Sequence, residues 1–220
     1  RKGCRIAAIK AGSSQAGSRA ASSHTGAIAS SDSAVEALFR KAGIVRCFSR
    51  EELTTVGCIF TLPRFTGKNF AIVTHAGGPG VMLTDALSKG GMQVPPLSGP
   101  AADELKAQLF PGSSVANPID ILATGTAEQL GIAIDYCEKK FKDIDAIMVI
   151  FGTPGLVQLY ETYDVLHKKI QTCKKPIFPV LPSVNTAGPE VQEFLHRGHV
   201  NFSDEVTLAT ALTQIMKTPS

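Results

Sequence analysis

The sequence predicts an α/β protein built on a doubly wound parallel sheet, and three observations carry that prediction. The runs Phe70-Ala71-Ile72-Val73-Thr74, Ala146-Ile147-Met148-Val149-Ile150-Phe151 and Ile177-Phe178-Pro179-Val180-Leu181 are of strand length and almost wholly apolar. Strands buried on both faces read this way. Longer stretches with helical spacing of apolar residues lie between them, and Gly- and Pro-rich turns mark the changes. At 220 residues, 44% hydrophobic and 19% charged, the chain has the composition of a globular protein with a real core.

Taken in order, Arg5-Ile6-Ala7-Ala8-Ile9 is an apolar strand, and the run from Lys10 to Ala27 after it is a loop of small residues. Ser33-Ala34-Val35-Glu36 reads as a capping box opening a helix through about Lys41, with Asp32 a competing cap and Gly43 a stop. Ile44-Val45-Arg46 is a short strand, and Ser49-Arg50-Glu51-Glu52 opens a second helix by the same logic. Leu62 to Asn69 breaks the pattern and predicts a linker. Strand 70–74, a helix from Gly80 to Lys89 and an edge-like strand Gln93-Val94-Pro95 follow. Helices are predicted over Ala101–Leu109, Thr126–Phe141, Leu156–Ile170, Pro189–Arg197 and Glu205–Met216, and a last short strand at Val200-Asn201-Phe202. Five strands with intervening helices over residues 68–218 predict a complete flavodoxin-like domain. Residues 1–63 supply only two strands and two helices, a partial domain of the same type.

Composition excludes several function classes. A net charge of +3, spread evenly and without aromatic interleaving, gives no nucleic-acid footprint. No apolar run approaches the roughly 18 residues that cross a bilayer. The five cysteines form no Cys-x-x-Cys pair, so neither a common zinc spacing nor a disulfide framework is predicted, and no metal site. Cys4 and Cys58, in apolar segments, read as small hydrophobes, and a reducing cytoplasm is the expected compartment. Arg1-Lys2-Gly3-Cys4-Arg5 runs straight into a strand, as in an internal piece of a longer polypeptide.

Ser23-His24-Thr25-Gly26 is the most informative stretch. A histidine among small residues is ordinarily solvated surface. It also suits a nucleophile that a phosphoryl group approaches closely, because imidazole near pH 7 keeps a free nitrogen lone pair. Small neighbours leave backbone N–H groups open to phosphate oxygens. A second candidate is Thr74-His75-Ala76-Gly77-Gly78-Pro79-Gly80-Val81, a strand-to-helix turn where open α/β sheets bind ligands. It is neither a Walker A loop nor G-x-G-x-x-G, and a tight turn without ligand is an equal reading. Asn117-Pro118-Ile119-Asp120 reads first as a structural turn, with Asp120 capping it or orienting the glycine turn. His167, His196 and His199 lack metal-ligand spacing and read as surface or packing residues.

The run from Lys10 resembles the phosphohistidine segment of the NDP-forming acyl-CoA synthetases, relatives of succinyl-CoA synthetase. The family pattern, roughly K-x-G-x-S-x-x-G-x-x-A-A-x-S-H-T-G-x-x-A-G-x-D, is matched at Lys10, Gly12, Gly17, Ala20, Ala21, Ser23, His24, Thr25, Gly26, Ala29 and Asp32. It departs at Ser30, where the family usually has Gly, and Ser14 sits in a Ser13-Ser14 pair. The resemblance spans essentially the whole chain, beginning inside the second domain of the family's α portion and running through the third. It implies that His24 is the phosphorylated residue, with Ser23, Thr25, Gly26, Gly77, Gly78, Gly80 and Val81 around its phosphoryl group and Asn117 and Asp120 in support. His75 stands where the family more often has Asn, and replacing that amide is the favoured reading.

The parent would convert acyl-CoA, NDP and phosphate to carboxylic acid, CoA and NTP. It would use Mg²⁺, ADP or ATP, CoA and phosphate, with a CoA-binding domain and an ATP-grasp domain or subunit as partners. A glutamate that orients the family's histidine falls upstream, so the isolated piece is expected to lack complete turnover. The acyl group, ADP against GDP and any oligomeric state stay open. A non-catalytic module of a regulatory or acyltransferase fusion is the alternative, and a plain flavodoxin-like binding domain a third.

Overall fold

A computed structural model describes residues 3–25, 31–153, 155 and 157–219. The chain divides into two compact units, Arg1–Thr61 with Thr210–Ser220, and Leu62–Ala209.

In the first unit, β1 (Ile6–Ile9) pairs in parallel with β2 (Ile44–Cys47), from Ile6 opposite Ile44 to Ile9 opposite Cys47. Between them lie α1 (Gln15–Thr25) and α2 (Asp32–Ala42), and α3 (Arg50–Thr61) follows β2. Residues Val45 to Cys47 of β2 are buried, whereas Ile6 and Ile9 of β1 remain 51% and 37% exposed. Gly43 ends α2 in the left-handed conformation (φ 66°), its N–H donating to Arg40 and Phe39 carbonyls. Only glycine adopts that backbone without strain.

Two local expectations change here. Residues 15–25 are a helix, not a loop: Ala16, Arg19, Ala20 and Ala21 favour helix, and the Ser14 hydroxyl caps it by accepting from the Gly17 N–H at 3.1 Å. The box expected at Ser33–Glu36 does not form. The N-cap of α2 is Ser31, and the Glu36 carboxylate instead accepts from Arg46 Nη1 at 2.7 Å. A charge-assisted bond outweighs a neutral cap. At α3 the Ser49 hydroxyl does accept from the Glu52 N–H, at 3.1 Å, while the Glu52 carboxylate reaches back to the Phe48 N–H at 2.7 Å.

The second unit carries β3 (Phe70–Thr74), α4 (Gly77–Lys89), α5 (Pro100–Lys106), β4 (Ile119–Asp120), α6 (Ala127–Lys139), β5 (Ala146–Ile150), α7 (Tyr160–Thr172), β6 (Ile177–Val180) and α8 (Gly188–His196). The helix α9 (Glu205–Lys217) begins in it. The sheet is parallel, in the order β4-β3-β5-β6. The expected strands at Gln93–Pro95 and Val200–Phe202 shrink to single bridges, Asn69 with Gln93 and Val180 with Phe202. Counting them, the five predicted strands run in the flavodoxin-like order 2-1-3-4-5.

Ile119-Asp120, read from sequence as part of a turn, is instead the strand β4, pairing with Val73 and Thr74. The edge of β3 is thus shared. Gln93 bonds its start, through the Phe70 N–H to the Gln93 carbonyl, and the Ile121 N–H bonds its end at the Thr74 carbonyl.

Every residue of β3, β5 and β6 is buried. Ala71 and Val73 join a cluster with Leu130, Ile134, Ile147 and Phe194, while Phe70 and Ile72, alternating with them, point to the other face and are equally buried. There Phe65 meets the Phe70 and Phe178 rings edge-on at 5.6 and 5.8 Å. Among the helices, α7 begins at Tyr160 rather than Leu156, and α6 starts from a full capping box of Thr126 with Gln129. All five thiols are free; Cys4 is exposed and Cys58 half-buried, and the buried thiols are Cys47 and Cys137. Burial pushes Cys137 up to about 12, leaving it an inert thiol. Among the described residues no helix is long and apolar enough to cross a membrane.

Candidate functional site

The predicted site residues fall into two groups, one in each unit. In the second unit, Thr74 ends β3 and its hydroxyl accepts from the Ala76 N–H at 3.0 Å and donates to the Ala76 carbonyl at 2.9 Å. The chain then turns directly into α4, so Gly77 and Gly78 are its first helical residues and Ala76 its N-cap, with no side-chain cap. The N–H groups of a first turn have no acceptor ahead of them in the helix, and Pro79 has none to offer. Gly77 and Gly78 therefore present bare amides where the helix partial charge is positive. Gly80 has a packing reason: a Cβ there would lie 3.2 Å from Thr74 Cγ2 and 3.4 Å from Pro118 Cβ. Val81, one step on, is 59% exposed.

This turn lies at the carboxyl end of β3, beside the carboxyl end of β5. That boundary is where the strand order reverses, the position at which doubly wound sheets open a crevice. His75 bridges it. Its ring stacks on Phe151 at 4.5 Å, and Nδ1 donates to the Ile150 carbonyl at 3.4 Å. Burial lowers its pKa, against the opposing effects of that bond and of Asp120, so the ring is neutral at pH 7.

Asn117 and Asp120 frame the same turn. The Asn117 amide oxygen accepts from the Ile72 N–H at 2.9 Å, and its nitrogen donates to the Phe70 and Pro95 carbonyls, each at 2.9 Å. A single side chain thus fills the gap in the β3 edge between Gln93 and β4. Asn117 adopts φ 69° and the Asn117–Pro118 peptide is cis. Asp120 accepts from the Leu122 N–H at 2.9 Å, with its other oxygen 3.4 Å from where a Gly77 Cβ would be.

Sequence reasoning missed the contacts made just after β5 by Gly152 and Thr153. The Thr153 N–H donates to the Ser183 hydroxyl at 2.8 Å, and the Thr153 hydroxyl donates to the Gly155 carbonyl. A Cβ at Gly152 would stand 2.7 Å from Ser183 Oγ and displace the hydroxyl that Thr153 donates to. The signal was available: Gly152-Thr153-Pro154-Gly155 follows an apolar strand as His75-Ala76-Gly77-Gly78 does. Also unforeseen is a contact of His167 Nδ1 with His199 Nε2 at 2.5 Å, His199 stacking on Phe194 at 4.6 Å. Among the described residues no three His, Cys, Asp or Glu side chains group as a metal site.

In the first unit, Ser23, His24 and Thr25 occupy the last turn of α1. The Ser23 hydroxyl donates to the Ala20 carbonyl at 2.9 Å, within its own helix. Gly26 lies outside the described residues. A helix C-terminus disfavours an anion, so α1 itself supplies no phosphate-binding dipole to His24.

Residues 1–60 match the family model described as succinyl-CoA ligase like flavodoxin domain. The chain is 39% identical over 123 residues to the alpha subunit of an ADP-forming acetate–CoA ligase II of Pyrococcus furiosus, covering 56% of this chain and 27% of that one. It is 36% identical over 168 residues to the ADP-forming acetate–CoA ligase I of Archaeoglobus fulgidus, covering 76% and 24%. It also resembles the dinucleotide forming acetyl-coenzyme A synthetase 1 of Ca. Korarchaeum cryptofilum, solved with phosphate and ADP. That match has a TM-score of 0.85 at 24% identity over 96% of this chain and 46% of the other. The chain thus spans about a quarter of the length of these two curated relatives.

Proposed function

Since the chain belongs, as a portion, to the NDP-forming acyl-CoA synthetases, we propose that it is the part of such an enzyme that carries the phosphoryl-relay histidine, His24. The observation that carries this reading is the coincidence of the matched domain, residues 1–60, with the Lys10–Asp32 run that holds Ser23-His24-Thr25-Gly26.

In the proposed reaction, inorganic phosphate displaces CoA from the acyl thioester and yields an acyl phosphate. A ring nitrogen of His24 attacks the phosphorus and releases the carboxylate; phospho-His24 then gives its phosphoryl group to ADP, forming ATP and restoring the free imidazole. The N–P bond is energetic enough for that last step, and each transfer reverses. Phosphoryl transfer asks the protein mainly for positioning and charge stabilisation. Ser23, Thr25 and Gly26 are proposed beside the phosphoryl group, and Gly77, Gly78, Gly80 and Val81 as the amides that receive its oxygens. Two bare N–H groups at an uncapped helix start support that role for Gly77 and Gly78. Asn117 and Asp120 hold the turn in place.

CoA, nucleotide and its Mg²⁺ are proposed to bind chiefly on a CoA-binding domain and an ATP-grasp domain or subunit of the parent. The test is intact mass of the full-length protein and of His24→Ala after incubation with Mg²⁺ and ATP, under alkaline conditions that preserve phosphohistidine. One acid-labile phosphate on the wild type, absent from His24→Ala, is expected. A folded, nucleotide-binding protein that takes up none would overturn the relay and favour a regulatory module.

A further inference from the structure

The helix that bears His24 has an unusual weakness. None of the described side chains of α1 is buried, so apolar packing does little to set its orientation. What holds it is polar and lies at the base of the segment. Lys10 follows the last residue of β1, and Asp32 is the first residue of α2, so the two bracket residues 11–31. Lys10 Nζ stands 3.5 Å from Asp32 Oδ1 and donates to the Gly12 carbonyl at 2.7 Å. The same Asp32 oxygen accepts from Arg46 Nη2 at 2.6 Å, while Arg46 Nη1 donates to Glu36 at 2.7 Å.

Arg46 is only 9% exposed and lies over the Phe48 ring at 5.0 Å. Its place on β2 fixes Asp32, and through it Lys10. Arg40, more exposed, also faces Glu36 at 3.8 Å, so three cations surround the two carboxylates. Gly12 carries the tie onward. It adopts φ 72°, and a Cβ there would meet Ala21 Cβ and the Gly17 carbonyl at 3.4 Å. A Cβ on Gly17 would in turn meet Gly12 Cα at 3.3 Å. The loop therefore lies directly on the first turns of α1, and Ala21 is three residues from His24.

We propose that Lys10, Asp32 and Arg46 form a clamp that positions the His24-bearing helix for phosphoryl transfer, an inference that rests on His24 being the phosphoryl acceptor. Asp32 is the centre, because it alone touches both Lys10 and Arg46. It is a positioning residue and acts on His24 through Lys10, Gly12 and α1.

The experiment compares Asp32→Asn, Asp32→Glu and Lys10→Met with the full-length wild type. It reads single-turnover phosphorylation of His24 by ATP, nucleotide affinity, and hydrogen exchange along the chain. Asp32→Asn is expected to slow transfer about tenfold or more, the scale of a small misplacement, with nucleotide affinity unchanged. Exchange over residues 15–25 should rise while β1 and β2 stay protected. Asp32→Glu should regain part of the rate. Lys10→Met leaves the Asp32–Arg46 pair in place and should give a smaller loss in the same direction, a measure that survives if Asp32→Asn fails to fold.

Unchanged exchange in α1, or faster exchange with an unchanged rate, would overturn the clamp. Lost protection across β1 and β2 together with weakened nucleotide binding would make the cluster a fold staple and overturn positioning. A wild type that takes up no phosphate would overturn the relay and with it any positioning for transfer. The exchange arm still separates that outcome from loss of the tie itself.

Discussion

Asn117 shows how much one side chain can carry. Its amide closes the middle of the β3 edge, where no strand supplies a partner, by bonding Ile72, Phe70 and Pro95 at once. Asn117→Ala would strand one donor and two acceptors of the main chain. Two of them sit on a fully buried strand, where an unmade bond brings the desolvation penalty of the group. We predict a loss of about 2–4 kcal/mol, on the order of 1–3 per stranded group with partial relief by water, read as a lowered urea midpoint. Asp32 makes the opposite kind of contact. The Arg46 guanidinium, then Lys10, holds its carboxyl below the ordinary carboxylate range, so Asp32 stays ionised through neutral pH. Neither role was legible beforehand. The Asn-Pro-Ile-Asp string was visible as a turn signal, but the partners of Asn117 lie far away in sequence.

At the scale of the element, helix α4 separates two uses of glycine that look alike in sequence. Gly78 has nothing within 4 Å of an added Cβ, whereas Gly80 is pressed between Thr74 and Pro118. Gly80→Ala should therefore destabilise by about 1–2 kcal/mol through overpacking. Gly78→Ala should be neutral or raise stability by about 0.5 kcal/mol, since alanine loses less backbone entropy in a helix. Thermal unfolding of the two variants checks the contrast. A result in which both lose stability equally would mean that Gly78 also serves packing. Helix α1 taught the converse lesson. Its Ser and Gly content suggested a loop, yet the alanines and the Ser14 cap were the stronger local signal.

On the scale of the whole molecule, acid should act through two histidines of the Leu62–Ala209 unit, the buried His75 and the half-buried His199. Burial lowers His75, and burial with His167 and Arg197 lowers His199, from the ordinary value of 6.5. A folded pKa below the unfolded one means that the unfolded chain binds more protons beneath pH 6.5. Stability is then complete above that pH and declines as pH falls below it toward the folded values. Urea midpoints measured from pH 8 to pH 5 should show this slope, and His75→Asn should flatten it. A midpoint constant across that range would contradict the assignment. What the sequence alone determined is the parallel α/β plan, because strand-length apolar runs and helical spacing are local patterns set by burial on two faces. It also singled out His24 and the glycine turn, whose residue types are informative without their neighbours. Only the tertiary structure decided that Ile119-Asp120 would be a strand, that Asn117 would complete an edge, and that Asp32 would join Lys10 to Arg46. Each of these pairs a polar group with a partner distant in the chain. Which partner is open depends on the edges and faces left over once the core has packed.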